Sequence, residues 1–151
     1  MKLHSSAFGF GMLVPQKYTC KGADISPPIS WEAVPEGAKG LAIICDDPDA
    51  PMGDWTHWAI YNLPPTARSL AEGVAKEATL PDGSRQGLND FDRVGYNGPC
   101  PPPGTVHHYR FTLYALDRPL ALPPKAAKRQ LLQAMTGHIL AQAELIGTFK
   151  R

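Results

Sequence analysis

The sequence predicts a mainly β fold of antiparallel strands with peripheral helices, and three observations lead there. From Val106 to Leu116 the chain reads VHHYRFTLYAL, an apolar and aromatic alternation that matches the two-residue period of a strand and not the 3.6-residue period of a helix. A second stretch, WTHWAIYNLPP from Trp55, repeats the arrangement of a histidine opening an apolar strand. Prolines and glycines cut most of the remaining chain into short pieces, as turns between strands require. Only beyond Pro123-Pro124 do Ala127, Leu131, Leu132, Met135 and Ile139 recur at helical spacing.

Taken in order, the chain opens with Lys2 ahead of AFGFGMLV, a run broken by two glycines and followed by Pro15. It reads as a strand and not as a signal peptide, because no small-residue cleavage site follows it. Between Tyr18 and Gly40, Pro27, Pro28 and Pro35 separate short strand-like pieces such as ISW. Lys39 to Cys45 reads as a buried strand, and Asp46, Asp47, Asp49 and Asp54 gather at its end around Pro48 and Pro51. In the strand from Trp55, alternation puts His57 with Ala59 and Tyr61 on one face and Trp58 with Ile60 on the other. After Pro65 the chain suits surface loop with a short helical piece, with turn signals at Asp82-Gly83 and Asn89-Asp90. From Gly98 to Gly104, six of seven residues are proline or glycine, interrupted by Cys100. Proline fixes φ, so this loop is a stiff rim. In the strand that follows, His107, Tyr109, Phe111, Leu113 and Ala115 share one face. The helical pattern near the end predicts one or two helices covering the sheet, with Gly137 as an interruption, and LIGTFK closes as a short strand.

Residues 1–151 fit one domain, and a chain of this length buries about 68–70% of its unfolded surface. The formal charge of +1 gives no electrostatic footprint for nucleic acid or an anionic membrane, so any anion site must be local. No stretch approaches the roughly 20 apolar residues of an integral membrane segment, and a cytoplasmic location is the expectation. Cys20, Cys45 and Cys100 are odd in number and lack zinc-like spacing, so reduced thiols are the default. No GxSxG turn or phosphate-cradling glycine loop is present, and Cys100 lacks an evident base, so the residues predict no enzyme and no cofactor.

Three long segments carry more. DDPDAP, HWAIYNLP and GYNGPCPPPGTVHHYRFTLYALD resemble the two signature regions of the phosphatidylethanolamine-binding protein family, whose members include Raf kinase inhibitor proteins. YTCKGADISPPISWEAVPEG and the terminal GHILAQAELIGTFKR extend the likeness over the full length, toward the bacterial branch. The resemblance implies an antiparallel β-sandwich-like fold and a small anion pocket at the positions of Asp47, His57, His107 and Tyr109. Asp49, Pro51 and Trp55, with Gly98, Pro99 and Pro101 from the stiff loop, are the expected lining. The residue chemistry agrees: histidines and a tyrosine supply donors, and a carboxylate fixes an imidazole tautomer. With no Lys or Arg among these positions, histidine is expected to supply the positive charge. A small anionic or phosphate-bearing ligand is the expected partner.

Rival readings are weaker on the residues. A metal site of aspartates and histidines lacks HxH or HxxxH spacing, and neighbouring His107 and His108 point to opposite faces. Asp49 suits a loop brace, and Pro48 and Pro51 are candidate cis bonds. Trp55 at the loop-to-strand junction suits a pocket wall able to face a choline-like or ethanolamine-like ammonium. An alternative function is a regulator that docks on a kinase or other signalling protein through the pocket rim. A homodimer is expected if a strand edge stays exposed.

Overall fold

A computed structural model describes residues 1–151. Its strands are β1 (Lys2–His4), β2 (Ile29–Glu32), β3 (Gly40–Asp47), β4 (Trp55–Leu63), β5 (Ser69–Leu70), β6 (Arg85–Gln86), β7 (Val106–Leu116) and β8 (Ile139–Lys150), and its one α-helix is α1 (Lys128–Met135). They form a small sheet in the order β1-β2-β5 and a large one in the order β6-β4-β3-β7-β8. Every paired strand is antiparallel, and the fold is the mainly β sandwich that the sequence predicts.

β3 lies between β4 and β7, and all eight of its residues are buried, which is why it reads as a near-continuous apolar run. Leu41, Ile43 and Cys45 turn toward the space between the sheets, where they join Phe111 and Leu113 of β7 and Ile29 and Trp31 of β2 in the main core. Ala42 and Ile44 turn the other way, to Leu131 and Met135 of α1. The helix therefore covers the second face of the large sheet. Asp46, at this face, accepts from Arg110 at 3.0 and 3.1 Å and from Lys128 at 2.6 Å, so an ion-pair cluster fastens the start of α1 to β3 and β7.

Several expectations need correction. A single helix forms near the C-terminus. It starts at Lys128 rather than at Pro124, because Lys125 takes a left-handed backbone (φ 65°). Gly137 (φ 82°) follows it and turns the chain into β8, which runs twelve residues and pairs along the whole of β7. LIGTFK is thus the second half of a long strand. The stretch after Pro65 holds the short strands β5 and β6 and turns but no helix; the helical turn outside α1 is a 3-10 turn at Gln16–Tyr18. All peptide bonds are trans. Cys20 and Cys100 are joined in a disulfide while Cys45 is free and buried. The reduced default fails for that pair because residues 80 apart in sequence are brought to a Cα separation of 5.4 Å, a proximity that spacing along the chain cannot reveal.

β4 carries two irregularities. Cys45 faces Trp58 and Asp46 faces Thr56, so His57 is an extra residue at a β-bulge. A second bulge lies where Asn62 adopts φ 56°. A bulge adds one residue to a strand and re-aims the side chains beyond it. His57 consequently shares the main-core side with Trp58 and Ile60, and not the side of Ala59 and Tyr61 that strict alternation assigns.

Candidate functional site

Antiparallel order brings the end of β3, the start of β4 and the start of β7 to one margin of the large sheet. Asp47, His57, His107 and Tyr109 meet there, all buried. The Nδ1–H of His107 donates to Asp47 Oδ2 at 2.6 Å, and the other carboxylate oxygen accepts from the Asp49 backbone N–H at 2.8 Å. The Nδ1–H of His57 donates to the Asn97 carbonyl at 2.7 Å. A carbonyl only accepts, so the tautomer of neutral His57 is fixed with its proton on Nδ1. The rings of His57 and Tyr109 meet edge to face at 5.3 Å, and Phe91 stands edge to face against both His57, at 5.3 Å, and Trp55, at 5.5 Å.

Electrostatics differ among these groups. Burial holds His57 below the ordinary imidazole range, opposed by the Asn97 carbonyl and by the carboxylates of Asp47 and Asp24. Burial thus favours the neutral ring, whose one N–H is already spent on Asn97, which differs from the donor and charge carrier expected from sequence. Burial, reinforced by Asp47, pushes the Tyr109 phenol far up, so it stays protonated.

A cleft of about 250 Å³ opens over this floor. Asp47, His57, His107 and Tyr109 line it together with Pro51, Trp55 and Pro101. Asp49, Gly98 and Pro99 do not. Asp49 turns outward and accepts from the backbone N–H and Nδ1–H of His108 at 2.8 and 2.7 Å; these bonds hold its carboxyl below the usual range. Gly98 lies behind the cleft, where its N–H donates to Asp24 at 2.7 Å and a Cβ would come within 1.9 Å of the Tyr18 carbonyl oxygen. Pro99 is buried, and its carbonyl accepts from Cys20 at 3.1 Å. Cys100 also lines the cleft, as do Met52, Phe91 and Pro102, which the sequence does not mark. An aromatic residue set alone in the polar run NDFDR was the available signal for Phe91. A larger cavity of about 360 Å³ lies between β1, Phe8–Phe10 and β8, but no buried hydrogen-bonding side chains converge on it.

Two buried side-chain polar atoms in the chain have no hydrogen-bond partner, Trp55 Nε1 and Tyr109 Oη. Both residues line the same cleft. Buried polar groups are nearly always paired, at a cost of about 1–3 kcal/mol when they are not. Trp55 thus carries an unpaired donor as well as an aromatic surface at the cleft. Trp58, by contrast, is core, with its Nε1–H donated to Gln86 at 2.8 Å.

A two-sheet antiparallel sandwich with a small histidine- and aspartate-floored cleft at the ends of its central strands defines a class of β protein. Comparison with known proteins gives the class its name, for the phosphatidylethanolamine-binding protein family profile matches residues 4–150. The chain belongs to that family. It is 54% identical over 151 residues to a UPF0098 protein of Methanothermobacter thermautotrophicus, covering 100% of this chain and 99% of that one. A UPF0098 protein of Pyrococcus horikoshii is 49% identical over 150 residues, covering 97% of this chain and 75% of that protein. Among solved structures, a phosphatidylethanolamine-binding protein homolog from Chlamydia trachomatis superposes with a TM-score of 0.91 at 45% identity, over 99% of this chain and 97% of that one. E. coli YbcL, described as a new member of the mammalian family, gives 0.92 at 30% identity, over 99% and 98%.

No helix of the chain is long and apolar enough to cross a membrane.

Proposed function

We propose that this protein binds, without turnover, a small anionic group of the phosphate type in the cleft floored by Asp47, His57, His107 and Tyr109. One observation carries the reading. The Trp55 N–H and the Tyr109 O–H, buried and unpartnered, both belong to that cleft, and a ligand with acceptor oxygens satisfies them together. Apolar walls from Pro51, Phe91 and Pro101 lower the local dielectric and strengthen each of those bonds. Calorimetric titration with inorganic phosphate tests it. Binding that Tyr109→Phe weakens is the expected result; equal affinity in the wild type and in Tyr109→Phe overturns it. Hydrolysis of a phosphoester by the purified protein would overturn the absence of turnover.

A second reading, docking on a kinase or another signalling protein, draws on the rim. Met52 is 92% exposed beside the cleft mouth, as a contact residue for a protein partner would be. Such a partner should compete with phosphate for the cleft. A homodimer would use the outer edge of β8. Backbone bonds from Gly11 and Val14 already cap that edge at Ile146 and Thr148, while Ile139 and Leu140 at its other end stay exposed. The Cys20–Cys100 disulfide favours an oxidising compartment over the cytoplasmic location expected from sequence, as disulfides persist where thiols are not kept reduced.

A further inference from the structure

His57 Nδ1–H is committed to the Asn97 carbonyl at 2.7 Å, and that carbonyl is itself held in place from behind. Asn97 Nδ2 donates to Asp24 at 2.9 Å, Asn89 Nδ2 donates to Asn97 Oδ1 at 2.8 Å, and the neighbouring Gly98 N–H donates to Asp24 at 2.7 Å. The imidazole therefore cannot turn over without breaking a pinned bond. Its remaining nitrogen, Nε2, has no side-chain partner, the other backbone group that favours the protonated ring being that of Gly98, next to Asn97, and in the neutral ring it is a lone pair. The titratable groups packed around it are Asp47 from β3, His107 and Tyr109 from β7, and Asp24 from the loop before β2. The cleft thus combines two donors, Trp55 Nε1–H and the Tyr109 O–H, with an acceptor on His57 whose tautomer the Asn97 carbonyl fixes, while Nε2 of His107, its Nδ1–H held by Asp47, accepts in the neutral ring and donates in the protonated one. A fully deprotonated oxyanion meets the donors well and the acceptor badly.

We infer that His57 is a specificity-determining acceptor and that the cleft selects a phosphate monoester in its monoanionic form. The single P–OH of the ligand gives its hydrogen bond to His57 Nε2, while the anionic oxygens accept from Trp55 and Tyr109. The inference rests on the reading of the cleft as an anion site and adds the protonation state and ester class of the ligand. A site built around a particular donor rejects an isostere that lacks it, because a buried group is left unpaired. An ammonium is a poorer match for the same lone pair, since it would set its charge against the positive ends of the Trp55 and Tyr109 donors.

Three probes of similar shape separate the possibilities: methyl phosphate, dimethyl phosphate and methyl sulfate. Near pH 6, close to the second phosphate pKa of about 6, much of the methyl phosphate is a monoanion. All three species then carry one negative charge, and only the methyl phosphate monoanion bears an acidic O–H. Calorimetry on the wild-type protein should show methyl phosphate, counted as monoanion, binding at least about tenfold tighter than either of the others, a difference of about 1.4 kcal/mol. Its advantage, counted on total ligand, should shrink as pH rises toward about 8 and the monoanion disappears. In His57→Gln, whose amide can turn an N–H to the ligand, methyl sulfate should gain on methyl phosphate to within about threefold, the hydrogen bond to the lone pair being gone. Equal affinities of the wild type for methyl phosphate and methyl sulfate overturn the acceptor role while leaving the anion site standing. Binding of none of the three overturns both.

Discussion

His107 and Asp47, sixty residues apart in sequence, are joined by a 2.6 Å hydrogen bond between side chains that are only 8% and 6% exposed. The bond fixes the proton of the neutral ring on Nδ1 and leaves Nε2 as the nitrogen free for a ligand; in the protonated ring, with the carboxylate as counter-charge, the Nε2–H donates to a bound anion. His107→Ala should therefore weaken phosphate binding by about 1.5–3 kcal/mol, the range for a hydrogen bond to a charged group, with the fold retained. Calorimetry checks the affinity and circular dichroism the fold; unchanged affinity would place the site elsewhere.

Folding stability should fall as the solution is acidified through the range of His57. Its folded-state pKa is depressed, chiefly by burial, so the unfolded chain binds the proton more readily, with an ordinary imidazole value near about 6.5. The contribution is fully present above that value and is lost as pH falls below it toward the folded value. Urea midpoints measured from about pH 7 down to about pH 5 should decline in the wild type. The decline should be smaller in His57→Gln, which has no imidazole there, and parallel slopes in the two proteins would show that His57 does not titrate as its burial requires.

The Cys20–Cys100 disulfide closes a loop of about 80 residues and ties the segment after the 3-10 turn to the cleft wall. Replacing both cysteines with serine should cost about 2–5 kcal/mol. Neighbouring bonds, Cys20 N–H to Pro99 and Tyr96 O–H to the Tyr18 carbonyl at 2.7 Å, keep the same two segments together, so the double variant should still fold. Denaturant unfolding of the oxidised and double-serine proteins gives the difference, and identical midpoints would mean that these bonds alone hold the wall.

Gly98→Ala should be among the most damaging single-methyl additions. The new Cβ would stand 1.9 Å from the Tyr18 carbonyl oxygen, which is backbone and cannot swing away as a side chain tip would. Overpacking of this kind costs about 1–3 kcal/mol or more, and relief by moving the loop would shift Asn97 and with it the bond to His57. A drop in both melting temperature and phosphate affinity is the expected pair of readings. A variant with wild-type values for both would show that the loop has room this packing does not suggest.

Much of the architecture is legible along the chain. Period-two alternation is imposed by the strand itself, so β7 was readable to the residue, with His107, Tyr109, Phe111, Leu113 and Ala115 on one buried face. The eight buried residues of β3 announce a central strand, since only a strand covered on both faces can afford so few polar positions. Proline and glycine set the turns, and the apolar spacing around Leu131 and Met135 gave the helix, because these are local consequences of backbone geometry. The family likeness, carried by long motifs around Asp47, His57 and His107, named four residues that the fold brings to one cleft.

What the tertiary structure alone decided involves residues far apart in sequence. The side of the sheet that His57 faces depends on a bulge, which arises from how β4 registers against β3 and leaves no period in the sequence. The disulfide depends on two loops meeting in space. The outward turn of Asp49 depends on the nearby N–H groups of His108, and the lining role of Phe91 depends on a loop folding back over Trp55. Above all, whether a histidine donates or accepts is set by what its other nitrogen touches. For His57 that partner is the Asn97 carbonyl, forty residues further along the chain, and no pattern of residue types can specify a contact with a backbone oxygen, which every residue carries alike.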